Sequence, residues 1–181
     1  MRYRRMTIAG ASYFFTVVTY RRQPLFAETQ AVGLLQTAIQ QIQERRPFVL
    51  EAQAVLPDHI HALWTLPDGD SNYPTRWRLI KEAFTRAYAL DHRLPSRDKG
   101  RVARGERTVW QRRYWEHLIR DDCDFSAHVE YIHFNPVRHG LASAPRDWPH
   151  STFLDWVARG LYDPMWGSQQ PPALPEWAGR E

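Results

Sequence analysis

Two apolar runs, Phe48 to Leu56 and Ile60 to Leu66, stand on either side of Pro57 and Asp58 in "PFVLEAQAVLPDHIHALWTLP". Proline presets a turn φ and brings no amide hydrogen, and aspartate favours tight turns, so the chain is predicted to reverse there. Both runs read as strands, and the rest of the chain has to be built around them. The second strand begins with His59 and His61. Side chains two apart on a strand share a face, with Cα atoms about 6.5 to 7 Å apart. Two imidazoles so placed can converge on one first-row metal ion. They can equally well bond backbone carbonyls on an ordinary strand, and two ligands do not complete a site.

The remaining elements follow from periodicity. "SYFFTVVTY", Ser12 to Tyr20, is aromatic and β-branched and reads as a buried strand. Between Glu28 and Arg45 the residues Val32, Leu35, Ile39 and Ile42 recur at helical spacing. A second helix carries the stripe Trp77, Ile80, Phe84 and Tyr88, with Arg78, Lys81 and Arg86 on its outer side. That basic side is either a face for a nucleic-acid backbone or a plain solvated surface. "HRLPSRDKGRVARGER" is a polar loop, and Tyr114 to Ile119 returns to strand. Phe125, Val129 and Ile132 then mark a helix capped by an aspartate, which Pro136 is expected to end near Asn135.

The order strand, helix, strand, strand, helix, strand, helix predicts an α+β fold. It fits a ferredoxin-like (RRM- or palm-like) antiparallel sheet with helices packed on one face. One domain over 1–162 is expected, with a Pro-rich tail over 163–181. "RDWPHSTF" either docks on the core or touches a ligand.

Charge narrows the partner. Arg97 to Arg113 holds seven basic residues against two acidic ones, which exceeds the net +4 of the whole 181-residue chain. "MRYRRM" adds Arg2, Arg4 and Arg5 beside a tyrosine. A polyanion is implied, and nucleic acid is favoured over a membrane because no long apolar anchor accompanies the charge. The lone Cys123 excludes an internal disulfide and a cysteine-rich zinc module. No run of 18 apolar residues occurs, so a soluble, cytoplasmic protein is expected.

The completion of the histidine pair lies in "HVEYIHFNP". Tyr131 and Asn135 sit at i and i+4 and share a helix face, with His128 three residues before Tyr131. Asn135 can offer an amide oxygen to a divalent ion, and Tyr131 a phenol that can attack phosphorus. A phenol of pKa about 10 is only about one part in a thousand ionised at pH 7, a deficit of about 4 kcal/mol that a base, a metal or a positive field must offset. The plainer readings are a half-buried helix tyrosine and an asparagine in ordinary turn chemistry before proline. His128 and His133 read as surface or supporting residues, the register of His117 is open, and Glu116 and Glu130 are candidate bases. Two other functions fit the same residues. One is a metal-dependent phosphohydrolase using water, and the other a non-catalytic nucleic-acid-binding module.

"AVLPDHIHALWTLP", "TRWRLIKEAFTR", "WQRRYWEHLIRDDCDFSAHVEYIHFNPVRHGL" and "DWPHSTF" together resemble the REP-associated tyrosine transposases. These are a bacterial branch of the HUH single-strand nucleases, related to small insertion-sequence transposases, and the resemblance spans Tyr3 to Tyr162. It implies a metal site at His59 and His61, with Asn135 where relatives often carry glutamine, and Tyr131 as nucleophile. The implied cofactor is Mg2+ or Mn2+. The implied substrate is single-stranded or hairpin DNA of repetitive extragenic palindromes, cleaved and rejoined through a 5′-phosphotyrosine. Arg2, Arg4, Arg5, Arg78, Lys81, Arg101, Arg104, Arg107, Arg112, Arg113 and Arg138 are its expected DNA contacts. A nucleoid location, no membrane partner, and either a monomer or a homodimer complete the expectation.

Overall fold

The computed structural model describes residues 7–91 and 109–175. In chain order the elements are β1 (Ser12–Val18), α1 (Thr29–Arg45), β2 (Val49–Leu56), β3 (His59–Thr65), α2 (Tyr73–Asp91), β4 (Trp115–Leu118), α3 (Asp122–Arg138) and α4 (Phe153–Ala158). The strands form one sheet in the order β2-β3-β1-β4, every neighbour antiparallel. This is the ferredoxin-like α+β sheet expected from the sequence. Leu56 faces His59 across the turn made by Pro57 and Asp58, so the proline and aspartate act where the sequence placed them.

Alternation along the strands separates two environments. Tyr13, Phe15, Val17, Ile60, Ala62 and Trp64 point towards α1 and α2, which share one face of the sheet. There Trp64 stacks on Trp77 with ring centres 4.2 Å apart and planes 16° from parallel. Val32, Leu35, Ile39 and Ile42 of α1 are all buried, as their spacing requires. The buried Arg76 on this side is fully used. It donates to the carbonyls of Arg46, Pro47 and Asn72 and to the Asp70 carboxylate at 2.7 Å.

Phe14, Thr16, His59, His61 and Leu63 occupy the opposite face, which α3 crosses over β2 and β3. Ala52 and Ala54 of β2 are small enough to let the helix approach, and Val129 and Ile132 fill the contact. Asp121 caps α3 by accepting from Asp124 N at 2.8 Å. The helix does not stop near Asn135 as Pro136 suggests; it runs on to Arg138. A proline removes only its own donor, and the next turn still closes through His139 N to Asn135 O at 3.0 Å. Those added residues supply the positions of Arg138 and His139.

The outer edge of β2 is covered by residues 148–156. Val55 N donates to His150 O at 2.8 Å, Thr152 N to Gln53 O at 2.9 Å, and the indoles of Trp148 and Trp156 donate to Val55 O and Glu51 O. "DWPHSTF" therefore docks on the core and protects a sheet edge. Among the described residues no helix is long and apolar enough to cross a membrane.

Candidate active site

The hairpin turn delivers His59 and His61 to the α3 face, with ring centres 4.8 Å apart and planes at 82°. Each ring is held at its Nδ1. His59 Nδ1 lies 2.5 Å from Asp58 Oδ1; an ionised carboxylate only accepts, so Nδ1 carries the hydrogen and Nε2 is the ring atom turned away from Asp58. His61 Nδ1 lies 3.0 Å from the Thr16 hydroxyl. Burial pushes the His61 imidazole well below its usual pKa, and the nearby His59, His139, Arg138 and Arg22 push it the same way. A neutral ring results. At Asp58 burial acts upward, but the hydrogen bonds and charges of His59 and Arg22 outweigh it and hold the carboxyl below its ordinary range.

The last two turns of α3 lie over this pair. Tyr131 is 4% exposed, and its ring meets His61 edge-on at 5.2 Å and Phe14 at 5.8 Å. Eight residues on, His139 meets His59 at 5.4 Å. Asn135 lies between them on α3, four residues from each, on the face that these two residues share. Its amide is fully buried, and neither the oxygen nor the nitrogen makes a hydrogen bond among the described residues. A buried amide without partners is rare and costly, and a ligand oxygen is what a divalent cation between two imidazoles requires. The residues present thus fit such an ion. The Arg138 guanidinium stands 5.6 Å over the Tyr131 ring and adds positive charge beside the phenol. His59, His61 and Tyr131 therefore come together within one chain, with Asn135 one turn further along α3 from Tyr131.

A second polar cluster lies at the start of α3. Asp124 Oδ2 accepts from His117 Nε2 at 2.9 Å and from Arg120 N and Nε at 3.0 Å, while His128 Nδ1 is 3.1 Å from Oδ1. Burial raises the Asp124 carboxyl, but bonds from Arg120 and His117 prevail and bring it down to about 2. The ligand atoms of His117, Asp124 and His128 lie within 4.8 Å of one another, a spacing that a divalent ion can span. In the present arrangement Arg120 occupies the carboxylate, and the two imidazoles stack at 4.7 Å with planes 21° apart rather than pointing at a common centre. The cluster ties β4 to α3, and His128 passes the contact to Phe14 at 4.8 Å.

Other expectations divide. Of the two readings given for His128 and His133, the surface one fails: both are buried, His128 against Phe14 of the sheet and His133 under residues 148–156. His133 donates or accepts at Thr152 Oγ1, 2.9 Å away, on the side covered by residues 148–156. Glu116 alternates away from His117, onto the α1 and α2 side of β4, and Glu130 lines a small cavity with Trp156 and Tyr162. Neither is placed as a base for Tyr131. Among the basic residues, Arg112, Arg113 and Arg138 are exposed, and Arg78 is exposed but paired with Glu82 at 2.9 Å. Lys81 lies over the rings of Trp110 and Tyr114 and donates to Gln111 O. Arg2, Arg4, Arg5, Arg101, Arg104 and Arg107 lie outside the described residues. Sequence reasoning missed Thr16, Asp58, Arg22 and His139. The signals available were a threonine among aromatic strand residues and an aspartate directly before the histidine pair.

No family model matches the chain. It is 43% identical over 164 residues to the REP-associated tyrosine transposase of Escherichia coli (strain K12), which covers 91% of this chain and 89% of that protein. A solved structure of a REP-associated tyrosine transposase bound to a REP hairpin superposes over 100% of this chain and 98% of its own, with TM-score 0.81 and 40% identity. Fold and kinship together define a DNA transposase. The chain belongs to the REP-associated tyrosine transposase family.

Proposed function

We propose that this protein cleaves and rejoins single-stranded DNA at hairpins of repetitive extragenic palindromes, with Tyr131 as nucleophile and His59, His61 and Asn135 as ligands of Mg2+ or Mn2+. The observation that carries the reading is the buried, unbonded amide of Asn135, set between Tyr131 over His61 and His139 over His59. A divalent ion held there would polarise the scissile phosphate. Tyr131 Oη attacks phosphorus, the bond to the 3′ oxygen breaks, the phenol gives up its proton, and the departing oxygen takes one up. The products are a 5′-phosphotyrosine and a free 3′-hydroxyl. Attack of a 3′-hydroxyl on that linkage reverses the step, so no nucleotide cofactor is needed. Arg138, over the phenol ring, would place a positive charge beside the phosphate under attack. Arg112 and Arg113, with the basic residues before them, contribute backbone contacts that weaken with salt.

Incubating the protein with labelled hairpin DNA and Mn2+ tests the reading. A denaturation-resistant protein–DNA adduct is expected, absent with Tyr131→Phe. Cleavage that gives no adduct and survives this change would assign the attack to water instead.

A further inference from the structure

Asp58 reads in the sequence as a turn former, and the structure gives its side chain a second task. It is the second residue of the turn between β2 and β3, yet its carboxylate bends back over the strand. Oδ1 lies 2.5 Å from His59 Nδ1, and Oδ2 lies 3.2 Å from the Arg22 guanidinium. Its main-chain carbonyl accepts from both Thr19 N and Thr19 Oγ1 at 2.9 Å. The residue is therefore gripped from three sides.

Arg22 reaches Asp58 along an unusual backbone. Arg21 and Arg22 have φ of 54° and 51°, in the left-handed region, and neither is glycine. Such a conformation is unfavourable for L-residues and persists where surrounding contacts over-determine it. Those contacts are the two Thr19 bonds to Asp58, Arg22 N to Thr19 O at 3.2 Å, and Gln23 N to Tyr20 O at 3.3 Å. The strained segment and the carboxylate form one unit.

We infer that Asp58 is a positioning residue for His59, and that the strained turn from Thr19 to Gln23 serves to hold Asp58 against the imidazole. This rests on the reading of His59, His61 and Asn135 as a divalent-cation site. A carboxylate on Nδ1 fixes the tautomer, fixes the ring rotation and makes Nε2 a better donor. His61 meets the Thr16 hydroxyl at the same atom, so the two imidazoles are held by different groups.

The test is Mn2+ binding to the full chain without DNA, followed by electron paramagnetic resonance. Asp58→Asn is expected to weaken binding about 10- to 100-fold, while hairpin binding in chelator stays at the wild-type level. Arg22→Gln, at a side chain 54% exposed and tolerant of change, is expected to weaken Mn2+ binding several-fold. Arg21→Gly loosens the turn at its φ of 54° without removing the Arg22 and Asp58 ion pair; it is expected to weaken Mn2+ binding, and unchanged Mn2+ affinity would overturn the turn's part in the inference. Wild-type affinity in Asp58→Asn, or in Arg22→Gln should the former not fold, overturns the inference alone. Undiminished Mn2+ binding in a His59→Ala, His61→Ala variant overturns the cation site and the inference together.

Discussion

One sheet separates two unlike interiors. Against α1 and α2 lie Tyr13, Phe15, Trp64, Tyr73, Trp77 and Phe84, all with no solvent exposure, and the buried cation Arg76 is bonded at every arm. Against α3 the same strands bury Thr16, His59 and His61, and the helix adds Asp124, His128, His133 and Asn135. Aromatic pairs add about 0.5 to 1.5 kcal/mol each beyond their area, whereas a buried polar group left unbonded costs about 1 to 3 kcal/mol. The first face offsets what the second face costs. Stability and chemistry are thus divided by the strand pleat, residue by alternate residue.

The largest expected effect belongs to the chemical face. Tyr131→Phe keeps the ring contacts with His61 and Phe14 and removes the hydroxyl proposed to attack phosphorus. Adduct formation should fall by about three orders of magnitude or more, with the unfolding midpoint nearly unchanged. A parallel loss of stability would show that the hydroxyl is structural. Trp77→Ala attacks the other face, at the stack with Trp64, and should cost about 3 to 5 kcal/mol in denaturant titration. A cost below about 1 kcal/mol would deny that this face dominates stability.

Asn135→Leu sharpens the contrast, because it should stabilise the fold by about 1 to 3 kcal/mol while abolishing the adduct. Reduced stability would mean that the amide has partners that matter. The smallest effect is on pH. Burial lowers the His133 imidazole to about 3, so the folded protein leaves it neutral where the unfolded chain, with an ordinary pKa near 6.5, takes up a proton. Stability from this group is complete above the unfolded value and falls as pH drops from about 6.5 towards 3, by at most about 1.4 kcal/mol per pH unit. His61 and His128, also lowered chiefly by burial, act in the same direction. Urea titrations at pH 7 and pH 5 should show the loss, and His133→Gln should reduce it. An unchanged slope in that variant would place the acid sensitivity elsewhere.

Much of this was legible before any coordinates. The apolar stripes of α1 and α2 and the strand on each side of Pro57 and Asp58 fall where local periodicity put them, because each depends on neighbours a few residues away. Pro136 misled, since a proline near a helix end removes one donor that the last turn can spare. For His128 and His133 the choice between a surface and a supporting place stayed open, and burial decides it. A polar helix row looks solvated until the sheet beneath it is known.

The sequence by itself determined two pairings, His59 with His61 at strand spacing and Tyr131 with Asn135 at helix spacing, because backbone geometry fixes which side chains share a face over so short a range. Only the tertiary structure decided that these faces meet. That meeting depends on Ala52 and Ala54 admitting α3, on Asp124 binding β4 to the start of the helix, and on residues 148–156 closing the edge of β2. These contacts join segments far apart in the chain, and no local period records them.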